Sequence, residues 1–285
     1  MLLRLAARLP LSWFHTLGAG LGWIAYRCAP TYAARLRENL ARSGVCADAA
    51  AYRTVLRQAI GEAGKAVLEL IPVWYRSDAA VSQLIIEIRG MELADAARAR
   101  GRGILFLTPH LGCFEICARA AAQRMPFTAL YRPPRKRWLE PFLIGARGQG
   151  GARLAPANVR GVRMLLTALK RGEAVGLLPD QAPAAGEGVW VDFFGRPAYT
   201  MTLARRLRDA TGATAIMAFS ERLPHGRGYR IQLAALPDEL SEKRINEAVE
   251  DLVRRHPAQY LWSYNRYKVP AGAPRPPATH KNEMT

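Results

Sequence analysis

Apolar positions along this chain change their period, and the changes predict its elements. Between Val55 and Leu70 they fall at Val55, Leu56, Ala59, Ile60, Ala63, Ala66, Val67 and Leu70. Spacings of three and four predict a helix over Ala49–Trp74, with Pro72 ending it, and Thr31–Arg42 reads the same way. Beyond Trp74 short strand-type runs alternate with helical patterns. Strands are predicted at Leu84–Ile88, Ile104–Leu107, Phe127–Tyr131, Ala174–Leu178, Thr214–Ser220 and Tyr229–Leu233. Helices are predicted at Gly90–Arg100, from Gly112 onward, and at Arg137–Arg147, Val159–Lys170, Thr200–Thr211 and Glu242–Arg255. Alternation of this kind predicts an α/β fold, a sheet with helices on its faces.

The N-terminus stands apart. Residues 9–26, LPLSWFHTLGAGLGWIAY, are eighteen consecutive residues without a formal charge, which meets the lower limit for crossing a bilayer. Arg4 and Arg8 flank the run on one side and Arg27, Arg35 and Arg37 on the other, which favours a cytoplasmic location for the downstream chain. No small-residue cleavage site succeeds the run cleanly, which disfavours a signal peptide. Residues 1–29 are therefore expected to anchor the chain, either spanning the membrane or lying in its interface, with a buried core helix as the alternative. Residues 30–269 would form the main domain. Residues 270–285, with four prolines and little apolar content, would be a disordered tail.

Charge narrows the partners. With 41 basic and 23 acidic residues the chain carries +18, which attracts anionic lipid headgroups, nucleic acid or an acidic protein. No zinc-finger, RRM or KH pattern accompanies that charge, so nucleic acid is not the expected partner. A basic membrane-associated binding or scaffold protein is the competing class. The four cysteines are too few and too scattered for a disulfide framework. Cys113 and Cys117 share a helical face without other metal-type ligands and are expected as core thiols. No metal or cofactor is expected.

The richest chemistry lies in Ile104–Ala122, ILFLTPHLGCFEICARAAA. Thr108–Pro109 ends a strand, since proline lacks an N–H and disfavours helix for the residue before it. His110 then sits in the strand-to-helix turn and Glu115 in the first turn of the helix. On one continuous helix they would lie about 140° apart, but a histidine ahead of the helix lets the carboxylate reach back. Glu115 is thus expected to accept a hydrogen bond from one ring nitrogen, leaving the other to take a proton. The alternative is a capping histidine and a solvated glutamate.

Ligands in open α/β sheets bind beyond the carboxyl ends of the strands. Two more polar clusters fall at such ends, Tyr131–Arg132–Pro133 and Pro179–Asp180–Gln181. Arg132 is a fixed cation suited to a phosphate or a developing oxyanion, or else a surface residue of the basic run RPPRKR. Asp180 is placed to orient Arg132 or the histidine, or to terminate a turn. Phe193 and Phe194, adjacent aromatics in a strand, are read as core, with the lining of an acyl pocket as the alternative. No G-x-S-x-G elbow occurs, which disfavours a serine hydrolase.

Taken in order, these residues resemble the bacterial lipid A biosynthesis acyltransferases, of the lauroyl or myristoyl type, within the lysophospholipid acyltransferase superfamily. The resemblance runs from the N-terminal helix to about Pro270. It rests on Asn39–Leu40, on H-x4-E at His110 and Glu115, and on YRP at Tyr131–Pro133. Arg147 in a glycine-rich stretch, PDQ at Pro179–Gln181, VWVDFFG at Val189–Gly195 and PAQYLWSYNRYK at Pro257–Lys268 complete it. Lys136 stands where the family has asparagine, and Asp192 where it has proline.

The resemblance implies a mixed sheet flanked by helices and an O-acyltransferase without a cofactor. It makes His110 the general base and Glu115 its orienting partner. Arg132, Arg147, Asp180 and Gln181 would line the substrate site. The implied donor is acyl carrier protein, the acceptor a hydroxyl of a phosphorylated glycolipid precursor of lipid A. The implied place is the cytoplasmic side of the bacterial inner membrane, against its anionic leaflet. Relatives with the same dyad acylate lysophospholipids or other membrane lipids, so the acceptor stays open.

Overall fold

The computed structural model describes residues 2–277 except 135, 137 and 139, and only the backbone of Gln149. Helices α1 (Leu2–Ala6), α2 (Leu11–Cys28), α3 (Pro30–Arg42), α4 (Ala49–Leu68), α5 (Leu70–Tyr75) and α6 (Asp78–Ser82) come first. The chain then alternates through β1 (Ile85–Arg89), α7 (Met91–Ala99), β2 (Ile104–Leu107), α8 (Phe114–Ala122), β3 (Phe127–Tyr131) and α9 (Glu140–Arg147). It continues through β4 (Arg153–Pro156), α10 (Val159–Lys170) and β5 (Ala174–Leu177). After the hairpin β6 (Gly188–Phe193) and β7 (Arg196–Met201) come α11 (Leu203–Thr211), β8 (Thr214–Arg222), β9 (Tyr229–Ala235) and α12 (Glu242–Arg255).

The seven-stranded sheet runs β1-β9-β8-β2-β5-β3-β4. Pairing is parallel except between β8 and β9, so the sheet is mixed. Its central strands carry apolar residues on both faces, as parallel strands covered by helices must. Ile104 and Phe106 face α7 and α8, while Leu105 and Leu107 face the core shared with α3, α4, α10, α11 and α12. Phe193 and Phe194 are buried in that second core, as expected.

Several expectations shift. The single helix over Ala49–Trp74 is two, α4 and α5, divided at Glu69. Pro72 lies inside α5, where its missing N–H removes the bond a continuous helix would make to Leu68. Glu69, 1% exposed, instead faces Arg222, which forks onto it with Nε–Oε2 at 2.7 Å. The Tyr229 hydroxyl donates to the same carboxylate at 2.9 Å, and His15 Nε2 of α2 lies 3.4 Å away. Burial raises the Glu69 carboxyl, but Arg222 outweighs it and brings it down to about 2. Thr200 belongs to β7 rather than to the following helix, and β4 and the β6–β7 hairpin were not anticipated.

The N-terminal helix also differs from a free anchor. Among the described residues no helix is long and apolar enough to cross a membrane. One side of α2 packs on α4 through glycines: a Cβ on Gly22 would lie 2.1 Å from the Ile60 carbonyl, and one on Gly64 1.9 Å from that of Gly18. The other side exposes Trp13, Leu17, Leu21 and Ile24. The last residues of the expected tail, 278–285, lie outside the described residues.

Candidate active site

Strands β2 and β5 pair in parallel with Leu107 opposite Leu177. Each continues by a three-residue extension with proline in the middle, Thr108–Pro109–His110 and Leu178–Pro179–Asp180. Equal extensions from a paired register bring His110 and Asp180 together beyond the carboxyl edge of the sheet. The Thr108 N–H still donates to the Leu177 carbonyl at 2.9 Å, and Pro109, with no N–H, ends the ladder.

Asp180 is 3% exposed and accepts twice from His110. The backbone N–H donates to Oδ2 at 2.9 Å, and ring Nδ1 lies 2.8 Å from Oδ1. Burial pushes the Asp180 carboxyl up, but the charge and hydrogen bonds of His110 outweigh it and hold it below its ordinary value. An ionised Asp180 fixes the proton on Nδ1 and leaves Nε2 as the acceptor. Gln181 Nε2 lies 3.0 Å from that nitrogen, and the Phe114 ring packs on the imidazole with centroids 4.9 Å apart. The buried Tyr260 phenol is pushed well up, first by burial and then by the negative charge of Asp180.

The expected hydrogen bond from His110 to Glu115 is replaced by this arrangement. Both ring nitrogens have other partners, and Glu115 points across the first turn of α8 toward α5 and α9. Its Oε2 accepts from Trp74 Nε1 at 3.1 Å and from Arg147 Nε at 3.3 Å, while Oε1 pairs with Arg147 Nη2. The Arg147 guanidinium also sits over the Trp74 ring, 5.7 Å from its centroid. Proximity in sequence favoured Glu115; strand register favours Asp180.

The C-terminal segment holds these loops. The Gly112 N–H donates to the Gln259 carbonyl and the Leu261 N–H to that of His110, each at 3.0 Å. The Ala182 N–H donates to the Tyr264 hydroxyl at 3.0 Å, and Asn39 Nδ2 caps the carbonyls of Trp262 and Tyr264. Gly112 has φ +60°, and a Cβ there would lie 1.9 Å from the Ser220 carbonyl; glycine alone tolerates both conditions. Arg132 follows β3 at the same edge of the sheet and is exposed, outside the cluster bonded to His110 among the described residues.

Beneath α8 lies an apolar cavity enclosing about 1070 Å³ of empty space, its open mouth included. The space exists because small residues face one another, Cys117, Ala118 and Ala121 on the helix and Ala129, Gly176 and Ala218 on the sheet. Thr108, Phe114, Glu115, Trp74, Tyr131 and Arg147 line it toward the start of α8, and Met125 and Phe127 close to the helix's other end. Cys113 and Cys117 are buried, and burial pushes both thiols up, Cys117 to about 12. Cys117 thus serves as cavity wall as well as core. Trp74, Tyr260 and the facing alanines escaped the sequence reading. The paired Leu-x-Pro-His and Leu-x-Pro-Asp endings were the available clue.

Comparison with known proteins gives the chain's family. The chain is 29% identical over 284 residues to the lipid A biosynthesis lauroyltransferase of Escherichia coli (strain K12), covering 95% of this chain and 90% of that protein. It is 28% identical over 182 residues to a lipid A biosynthesis acyltransferase of Haemophilus influenzae, covering 62% of this chain and 57% of that protein. The lipid A biosynthesis myristoyltransferase of Escherichia coli (strain K12) matches at 26% over 187 residues, 62% of this chain and 57% of its own length. The model of the bacterial lipid A biosynthesis acyltransferases matches residues 1–269, and the chain belongs to that family.

Proposed function

We propose that this protein transfers a fatty acyl chain from acyl carrier protein to a hydroxyl of a lipid A precursor. The observation that carries this reading is that His110, held by the Asp180 carboxylate, packs on Phe114, a wall of the apolar cavity that we read as the seat of the hydrocarbon chain. His110 Nε2 takes the proton of the acceptor hydroxyl while its oxygen attacks the thioester carbonyl. The tetrahedral adduct then collapses to an ester, and the carrier thiolate leaves and recovers the proton from the imidazolium. Asp180 stabilises that imidazolium. Arg147, held by Glu115 in the cavity lining, supplies positive charge for the oxyanion or an acceptor phosphate, and Arg132 adds a second cation at the same edge of the sheet.

The same reading puts the protein on the cytoplasmic side of the inner membrane, resting in the interface rather than spanning it. Leu2, Leu5 and Leu9 of the first turns and Trp13, Leu17, Leu21 and Ile24 of α2 are all exposed, at steps of three and four residues. Phe142 and Ile144 of α9, the helix that carries Arg147, are exposed as well. Such a face, flanked by Arg4, Arg8 and Arg27, suits an anionic bilayer surface.

The deciding experiment offers labelled acyl carrier protein with a tetra-acylated lipid A precursor and, in parallel, lysophospholipid. Wild type is expected to label the glycolipid and His110→Ala to abolish it. Labelling of lysophospholipid alone would retain the chemistry and replace the acceptor. Labelling of neither would end the acyltransfer proposal.

A further inference from the structure

The nitrogen that must receive the acceptor's proton is already occupied. Asp180 holds the Nδ1 proton, so the Nε2 lone pair is the basic site, and the Gln181 amide donates to it at 3.0 Å. A hydroxyl awaiting deprotonation needs that same position, within about 2.6–3.2 Å of the nitrogen. One lone pair cannot serve both donors.

We propose that Gln181 is a placeholder for the acceptor hydroxyl, its amide covering the proton-accepting nitrogen of His110 in the empty site and leaving it when the acceptor binds. This rests on the acyl-transfer reading above. The construction around Gln181 supports it. Asp180, on one side, is clamped by two hydrogen bonds from His110. Ala182, on the other, is fully buried and tied through its N–H to Tyr264. The backbone is held at both neighbours, while the half-buried side chain, with three rotatable bonds, is left to swing. Gln181 is thereby a positioning residue, controlling when the base becomes available.

The other groups facing the imidazole do not compete for Nε2. Asp180 engages Nδ1, with Tyr260 and the buried Arg266 beyond it. Glu115, from α8, is engaged by Arg147 and Trp74, and Phe114 presents only its ring. The amide is therefore the group that occupies Nε2 in the empty enzyme.

The test is the pH profile of Gln181→Met, which keeps the length and removes the donor. The acid limb of kcat/KM for the acceptor reports the empty site, and that of kcat the occupied one. Loss of one neutral hydrogen bond should move the kcat/KM limb up by about half to one pH unit. The kcat limb should stay in place. Movement of both limbs together would show that the amide never leaves, and movement of neither that it does not act on His110; either result overturns the proposal. Gln181→Asn, with an amide too short to reach, should behave like Gln181→Met, and a wild-type profile in it would also count against the placeholder. An NMR titration of His110 in the substrate-free protein supplies a readout independent of turnover. A rise in both variants supports the proposal and an unchanged value refutes it, whereas absence of transfer by wild type would refute only the acyltransferase reading.

Discussion

His110 Nδ1 lies 2.8 Å from Oδ1 of Asp180, a residue 70 positions away in the chain, whereas Glu115, five positions away, grips Arg147. The two carboxylates therefore have separate partners, one holding the His110 imidazole and the other a guanidinium that lines the cavity.

Asp180→Asn should lower kcat by about 10²–10⁴-fold, because the imidazole loses both its fixed tautomer and the charge that stabilises its protonated form. Removing a negative charge beside His110 makes protonation harder, so the acid limb of the rate profile should move to lower pH. Glu115→Gln should cost roughly 10–100-fold through misplacement of Arg147, the scale of one charge-assisted hydrogen bond, with the acid limb nearly unmoved. Steady-state rates across pH separate the two. An acid limb displaced by Glu115→Gln but not by Asp180→Asn would reverse these assignments.

The cavity under α8 owes its space to side chains that are small. Ala121→Phe introduces a ring where an alanine now faces the sheet. Mass spectrometry of the acylated product should show shorter chains, with the thermal midpoint little changed. An unaltered chain-length distribution would mean that the acyl group lies elsewhere.

Glu69 ties acid stability to the Arg222 network. Its carboxyl titrates at about 2 when folded, against an ordinary value of 4.5. A lowered folded value gives stability that is complete above the ordinary value and fades as pH falls toward the folded one. Denaturant melts should thus lose on the order of 3 kcal/mol between about pH 5 and pH 2 from this group. Glu69→Gln should lower stability at pH 7 and flatten that part of the acid dependence. An equally steep acid profile in the variant would assign the loss to other carboxylates.

The two sides of α2 should respond differently to substitution. Gly64→Ala drives a Cβ to 1.9 Å from the Gly18 carbonyl. Such overpacking is expected to cost about 1–3 kcal/mol in a thermal or denaturant melt. Leu17→Arg on the exposed side should leave the melt unchanged and weaken binding to vesicles containing anionic lipid. Unchanged vesicle binding would remove this face from the membrane contact.

The local sequence by itself determined many of the elements. Ile104–Leu107, Phe127–Tyr131, Val159–Lys170 and Glu242–Arg255 form where their periodicity places them. Periodicity records which faces meet apolar neighbours, and those preferences are written residue by residue. It also located His110, Asp180 and Gln181 at strand ends, where a site belongs. Tertiary structure decided which of them meet. The His110 partner follows from the register of β2 on β5, a relation between segments far apart that no local spacing contains. The uncharged run of α2 was compatible with lipid on all sides until the glycines of α4 proved able to approach it closely. The cavity is the difference in size between facing residues, Ala118 and Ala121 above Ala129 and Gly176, and exists only once helix and sheet are packed.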